Sequence, residues 1–273
     1  MRNRPLRLEW LEPRLLMSGN VTVRVSGQSP LYDLKIRGDG LSNQIYVTYN
    51  EAQGTWTVGG IPGTGTKVNG GNQPVTVGGV TNSVWIDMRA GDDVVQLRAF
   101  QVPNELHVDL DAGNDLLEAG LEASGIPPNR VGGALWIEGD NGNDVVKLAN
   151  VQVAGNVYVK LGSGNDTFRS WAAQVDAAIR IDGDAGEDTV TLADVRAENL
   201  YAWLGQGNDS FRADRVRVTR KLFLTAGRGN DRAWIYGCEA AEAELFGGPG
   251  YDVLWLGGNR FGRLRLHGWE GGV

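Results

Sequence analysis

From Val84 onward, short apolar and polar runs alternate and then repeat at a nearly constant distance. With Asp93, Asp115, Asp144, Asp166, Asp188, Asp209, Asp231 and Asp252 as origins, the intervals are 22, 29, 22, 22, 21, 22 and 21 residues. Positions nine and seven before each Asp are apolar in most repeats: Val84/Ile86, Leu106/Val108, Leu135/Ile137, Val157/Val159, Ile179/Ile181, Leu200/Ala202 and Leu222/Leu224. A period of two puts such residues on one face of a strand. A second run follows the Asp, as in Val95/Leu97 and Val146/Leu148, and a third comes later, as in Val151/Val153 and Val216/Val218. A fixed period in this range is the signature of a solenoid. Three short inward-facing runs per coil predict an all-β, right-handed parallel β-helix of roughly triangular section. The hand follows from the general preference of parallel crossovers.

The rest of the chain is read against that array. Residues 84–273 form the regular coils, and 20–83 form an irregular N-terminal section of the same single domain. Within that section, Ile36 to Val47 resembles a first, degenerate coil, with Asn43 where later coils carry Asp. The Gly- and Thr-rich stretch from Gly54 to Val80 predicts a hairpin-like excursion. The one long interval contains Ala123 to Asn129, an insertion expected as a loop on one face. Residues 1–19 are basic, with near-helical spacing of leucines broken by Pro13, and are expected to target the chain or to cap the first coil.

Composition narrows the function classes. Forty glycines and nine prolines in 273 residues favour tight turns over long helices. The formal charge of −7 disfavours nucleic acid as a partner, because phosphate binding needs clustered Lys and Arg. A single cysteine, Cys238, excludes an internal disulfide framework and falls on an inward column. No apolar run reaches the roughly 18 residues of a membrane-spanning helix, so no transmembrane segment is expected.

The bends preceding each anchor read RAGDD, DAGND, DNGND, GSGND, DAGED, GQGND, GRGND and GPGYD. They resemble the RTX, or haemolysin-type, calcium-binding repeat, G-G-x-G-x-D-x-U-x with U large and apolar. Gly162 to Phe168 fits best. Two departures stand out: one copy occurs per coil instead of tandem copies, and Asp111, Asp140 and Asp184 replace the first glycine. The resemblance implies Ca²⁺ at Asp93, Asp111, Asp115, Asp140, Asp144, Asp166, Asp184, Asp188, Asp209, Asp231 and Asp252. The richest bends pair Asp111 with Asp115, Asp140 with Asp144, and Asp184 with Asp188. The electrostatics argue the same way. Coils about 4.8 Å apart bring the anchors close enough to repel by roughly 3 kcal/mol at an effective dielectric near 20. Calcium, which takes 6–8 oxygens, offsets such repulsion. The alternative is a purely structural turn, in which each Asp accepts from the N–H groups of its own bend and the preceding Asn takes a left-handed conformation. Separately, Leu11 to Gly19 resembles the LEPR-XLL motif of large exported proteins of planctomycete-type bacteria, which implies a secreted or cell-surface protein.

A further column stands eight residues before each anchor, on the outward side: Trp85, His107, Trp136, Tyr158, Arg180, Tyr201, Phe223 and Glu244. Beside it run Asp87, Asp109, Glu138, Lys160, Asp182, Trp203, Thr225 and Phe246. The rings suit either a ladder that stabilises adjacent strands or a surface for polysaccharide or cell-surface components. The acids raise the option of a polysaccharide lyase or hydrolase. No catalytic residue is assigned, since a repeated acid column arises from repetition itself. The leading expectation is a non-catalytic, calcium-binding structural repeat protein; a carbohydrate- or protein-binding module and a polysaccharide-acting enzyme follow.

Overall fold

A computed structural model describes residues 19–120 and 128–272. All the regular structure in it is β. Each regular coil contributes a strand before the anchor Asp, one after it and a short third one, for instance Val84–Asp87, Val94–Arg98 and Gln101–Val102. Equivalent strands of successive coils pair in parallel, so the chain is a parallel β-helix with coils of about 22 residues. The register follows the sequence alignment: Val84 faces Leu106, Leu106 faces Leu135, Leu135 faces Val157, and so on to Leu222 and Ala243. Hydrogen bonding groups the three strand families into two sheets. The second strand of each coil forms one sheet and the first and third share the other. They merge near the C-terminal end, where third and first strand run on as Glu239–Phe246 and Arg260–His267.

The inward columns form one continuous core running the length of the coil stack, with Ile86, Leu110, Phe168, Leu192 and Phe211 among its fully buried members. A strand buries only alternate side chains, and stacking coils is what removes that face from water. Cys238 is part of this core, and burial pushes its thiol up to about 11.

The N-terminal section departs from the coil pattern as expected. Leu34 to Arg37 stack in register on Val84 to Asp87, and Gln44–Asn50 stacks on Val94–Arg98, which places Asn43 under Asp93. Asn20–Gln28 folds antiparallel onto Leu31–Arg37. Thr55–Gly60 and Val75–Gly78 add antiparallel strands to the edge at Gln44–Asn50. These antiparallel strands cover edges that would otherwise pair with other chains. Residues 1–18, including the Leu11 to Ser18 stretch, lie outside the described residues, as does most of the insertion, 121–127. Asn129 belongs to the coil and not to the insertion: it begins a third strand, Asn129–Val131, paired with Val151–Val153. Among the described residues no helix is long and apolar enough to cross a membrane.

Candidate functional site

The bend that precedes each anchor is built by backbone conformation first. The glycine two residues before the Asp has φ between +127° and +154° in every coil. A Cβ on Gly164 would run into the carbonyl of Gly142, and one on Gly186 into that of Gly164. Only glycine fits a column in which backbone approaches backbone this closely. The residue four before the anchor is also left-handed, and it is there that Asp111, Asp140 and Asp184 stand, at φ of 66°, 68° and 71°. Their coil equivalents Gly162, Gly205 and Gly227 share positive φ. Asp is one of the few non-glycine residues that tolerates this region, so backbone conformation accounts for the exchange of glycine for carboxylate. The Asn that precedes five of the anchors (Asn114, Asn143, Asn165, Asn208 and Asn230), expected to be left-handed, is not. Its side chain instead accepts from the backbone of the next coil, as Asn143 Oδ1 does from Asn165 N–H and Asn165 Oδ1 from Glu187 N–H, both at 2.8 Å.

The anchor carboxylates do come into register on one column, but inside the coil. All eight are at most 2 % exposed. Each Oδ1 accepts the backbone N–H of the anchor in the preceding coil, not one from its own bend. Asp115 N–H donates to Asp144 at 2.8 Å, Asp144 to Asp166 at 2.7 Å, Asp166 to Asp188 at 2.9 Å and Asp188 to Asp209 at 2.8 Å. The ladder starts at Asn43, whose N–H donates to Asp93, and ends where Asp252 N–H donates to Glu270 Oε2 at 2.8 Å. Glu270 lies in a segment with no Gly-Asn-Asp bend, and the periodicity carried no signal for it.

Every anchor keeps its second oxygen, Oδ2, buried without a hydrogen-bond partner. Loss of solvation by burial is the main reason their carboxyls are hard to ionise. Asp93 is pushed up to about 8, Asp115, Asp144, Asp188 and Asp209 to about 7, and Asp231 to about 6. Neighbouring acids add a smaller push, Asp140 on Asp144 and Asp184 on Asp188 among them. Below those values the rungs hold their protons, which relieves the repulsion expected between them. At Gly139 a Cβ would stand 2.7 Å from Asp144 Oδ2 and against the Leu161 carbonyl, so both oxygens face one small space. Gly183 and Gly247 mark the same arrangement at Asp188 and Asp252.

Whether these residues suit Ca²⁺ can be tested on that geometry. The donor type fits: unpaired carboxylate oxygens beside main-chain carbonyls are what a hard cation takes. The donor number is small, because among the described residues no three or more His, Cys, Asp or Glu side chains are grouped to hold an ion. Asp111, Asp140 and Asp184 sit on the outer side of the bend, partly or fully exposed, while their partners Asp115, Asp144 and Asp188 are buried. An ion at the column would therefore draw mainly on Oδ2 atoms and backbone carbonyls.

The outward column is a stack of rings. Trp85 lies on His107 with centroids 3.7 Å apart and planes 7° from parallel, and Trp136 lies on Tyr158 at 3.8 Å and 14°. His107 and Trp136 are parallel at 5.9 Å. Arg180 continues the column, its guanidinium 5.3 Å from the Tyr158 ring and 5.5 Å from that of Tyr201. Phe223 is tilted 46° against Tyr201. From His107 to Tyr201 the rings turn their faces to one another or to Arg180, so along this part of the column they present mainly edges to solvent, whereas Trp85, 38 % exposed, has a ring on one side only. His107 also contacts Glu105 at 3.2 Å, which engages the ring nitrogen. Of the neighbouring acids, Asp109 is pushed up to about 6 by burial and by Asp140, Glu138, Asp111 and Asp87, with its Oδ1 buried and unpartnered. Comparison with protein-family models, with curated proteins and with solved structures found no match for this chain.

Proposed function

We propose that this chain is a non-catalytic structural repeat protein whose coils are tied together by the buried carboxyl ladder and which takes up Ca²⁺ when that ladder ionises. The observation that carries the reading is the column of eight buried Oδ2 atoms with no partner. Such a group is costly to keep charged and bare. It must either hold its proton or meet a cation. The resemblance of the Gly-Asn-Asp bends to RTX repeats supports Ca²⁺ as that cation, and the LEPR-XLL-like stretch at Leu11 to Gly19 supports an exported or surface setting.

Bound Ca²⁺ would supply positive charge beside ionised Oδ2 atoms. The chain's own part is to hold the coils in register through Oδ1 and to exclude water from Oδ2. Thermal unfolding at about pH 8, where most of these carboxyls lose their protons in the folded state, is the direct test. Calcium chloride should raise the midpoint relative to chelator, and the difference should vanish near pH 5. Equal midpoints with calcium and with chelator at the higher pH would leave the ladder a proton-holding structural device with no metal.

A further inference from the structure

The column six residues before each anchor changes character abruptly at one coil. It runs Asp87, Asp109, Glu138, Lys160, Asp182 and then Trp203. The register stacks Lys160 on Asp182 and Asp182 on Trp203. Trp203 lies nearly coplanar in direction with Tyr201, 11° apart at 5.9 Å, and Phe223 is tilted against it at 5.8 Å. On the side of the preceding coil its rung neighbour is the short Asp182. That side of the indole carries no ring, and 37 % of the residue is exposed. It overlooks a depression of about 240 Å³ lined by Trp203, Asp182, Arg180, Lys160, Tyr158 and Glu138.

The polar groups around this depression are only partly engaged by the fold, Arg180 through the Tyr158 and Tyr201 rings. Among the described residues, Glu138, Lys160, Asp182 and Arg180 take part in no ion pair, and Arg180 Nη1 is buried without a hydrogen-bond partner. Burial raises the Asp182 carboxyl above its ordinary range, and Asp184 adds to the push. Donors and acceptors thus converge beside a ring with an open side, and two cations balance two carboxylates. A volume below the range of drug-sized pockets suits a single ring of a larger chain.

We infer that this depression is a saccharide subsite that takes one pyranose ring of a neutral hexose chain. The apolar C–H side of the sugar lies on Trp203, and its hydroxyls pair with Asp182, Lys160 and Glu138. A hydroxyl both donates and accepts, so it satisfies carboxylate and ammonium alike. The local charge balance gives neither a uronate chain nor a polyamine an electrostatic advantage.

The test is titration of the full chain with cellohexaose, laminarihexaose and mannohexaose, followed by tryptophan fluorescence and calorimetry, in chelator so that the calcium reading is not involved. At least one of these should bind, with affinity reduced about tenfold or more in Trp203→Ala and in Asp182→Ala. Trp85→Ala, outside the depression, should bind as the parent does. Thermal melts of the variants establish that each is folded, and Trp203→Phe should retain part of the affinity. Absence of binding by all three oligosaccharides, undiminished binding in Trp203→Ala, or binding of oligouronates alone would overturn the inference.

Discussion

A buried carboxyl with one oxygen paired and the other bare responds differently to substitutions of nearly equal size. Asp144 accepts from Asp115 N–H through Oδ1, while Oδ2 faces Gly139 and the Leu161 carbonyl. Asp144→Ala removes the acceptor and leaves a buried N–H unpaired, at a cost of about 1–3 kcal/mol. Asp144→Asn keeps an acceptor and puts a neutral donor where the bare oxygen was. In chelator at about pH 8, Asn should therefore be at least as stable as the parent and Ala clearly less stable. Chemical denaturation of the two variants decides this, and equal losses would show that the ladder contributes no specific hydrogen bond. At the first coil an amide stands in this column: Asn43 sits in register with Asp93 and donates through Nδ2 to the Leu41 carbonyl at 2.6 Å, while its Oδ1 is buried without a partner.

At the scale of the strand and its neighbours, the ring column works as a cross-coil staple. Trp136 is packed between His107 and Tyr158. Aromatic pairs contribute roughly 0.5–1.5 kcal/mol each beyond burial. Trp136→Ala should therefore lower stability by about 1–3 kcal/mol in a denaturant titration, with the m-value unchanged because the coil itself persists. A loss confined to a few tenths would mean that the stack is incidental. The column was legible in the sequence as a period, since Trp85, His107, Trp136, Tyr158, Tyr201 and Phe223 all stand at one offset. That the rings face one another could not be read there, because side-chain torsions, not spacing, set ring orientation.

For the molecule as a whole, the ladder gives an unusual dependence on pH. Unfolded Asp ionises near 4, whereas six of the folded anchors hold their protons to between about 6 and about 8. Between those values the folded chain binds more protons than the unfolded one. Without a bound cation, stability contributed by these groups is present in full below the unfolded value and falls as pH rises through the folded values. Melting midpoints in chelator should accordingly decline from about pH 5 to about pH 8. A midpoint that rises over that interval would show the anchors to be ionised and stabilised throughout. The surface ion pairs, such as Arg215–Asp194 and Lys147–Glu118, are partly exposed and contribute little to this trend.

Periodicity in the amino-acid sequence was enough to determine the coil, its length, the inward columns from Val84 to Ala243 and the alignment of eight Asp residues. A period of two within strands and about 22 between them admits few ways to bury apolar faces. What the tertiary structure decided was the side of the wall on which the acids lie and what their oxygens meet. Asp115 and Asp111 look like a ligand pair in the chain, yet one points into the stack and the other occupies a left-handed bend outside it. The partner of each Oδ1 is an N–H 21 to 50 residues away, supplied by an adjacent coil and not by the local turn. Trp203 likewise reads as one more aromatic until its rung neighbour, Asp182, is seen to leave one side of it open. Contacts between coils arise from backbone stacking over the whole winding, and local residue spacing does not encode which atoms that stacking brings together.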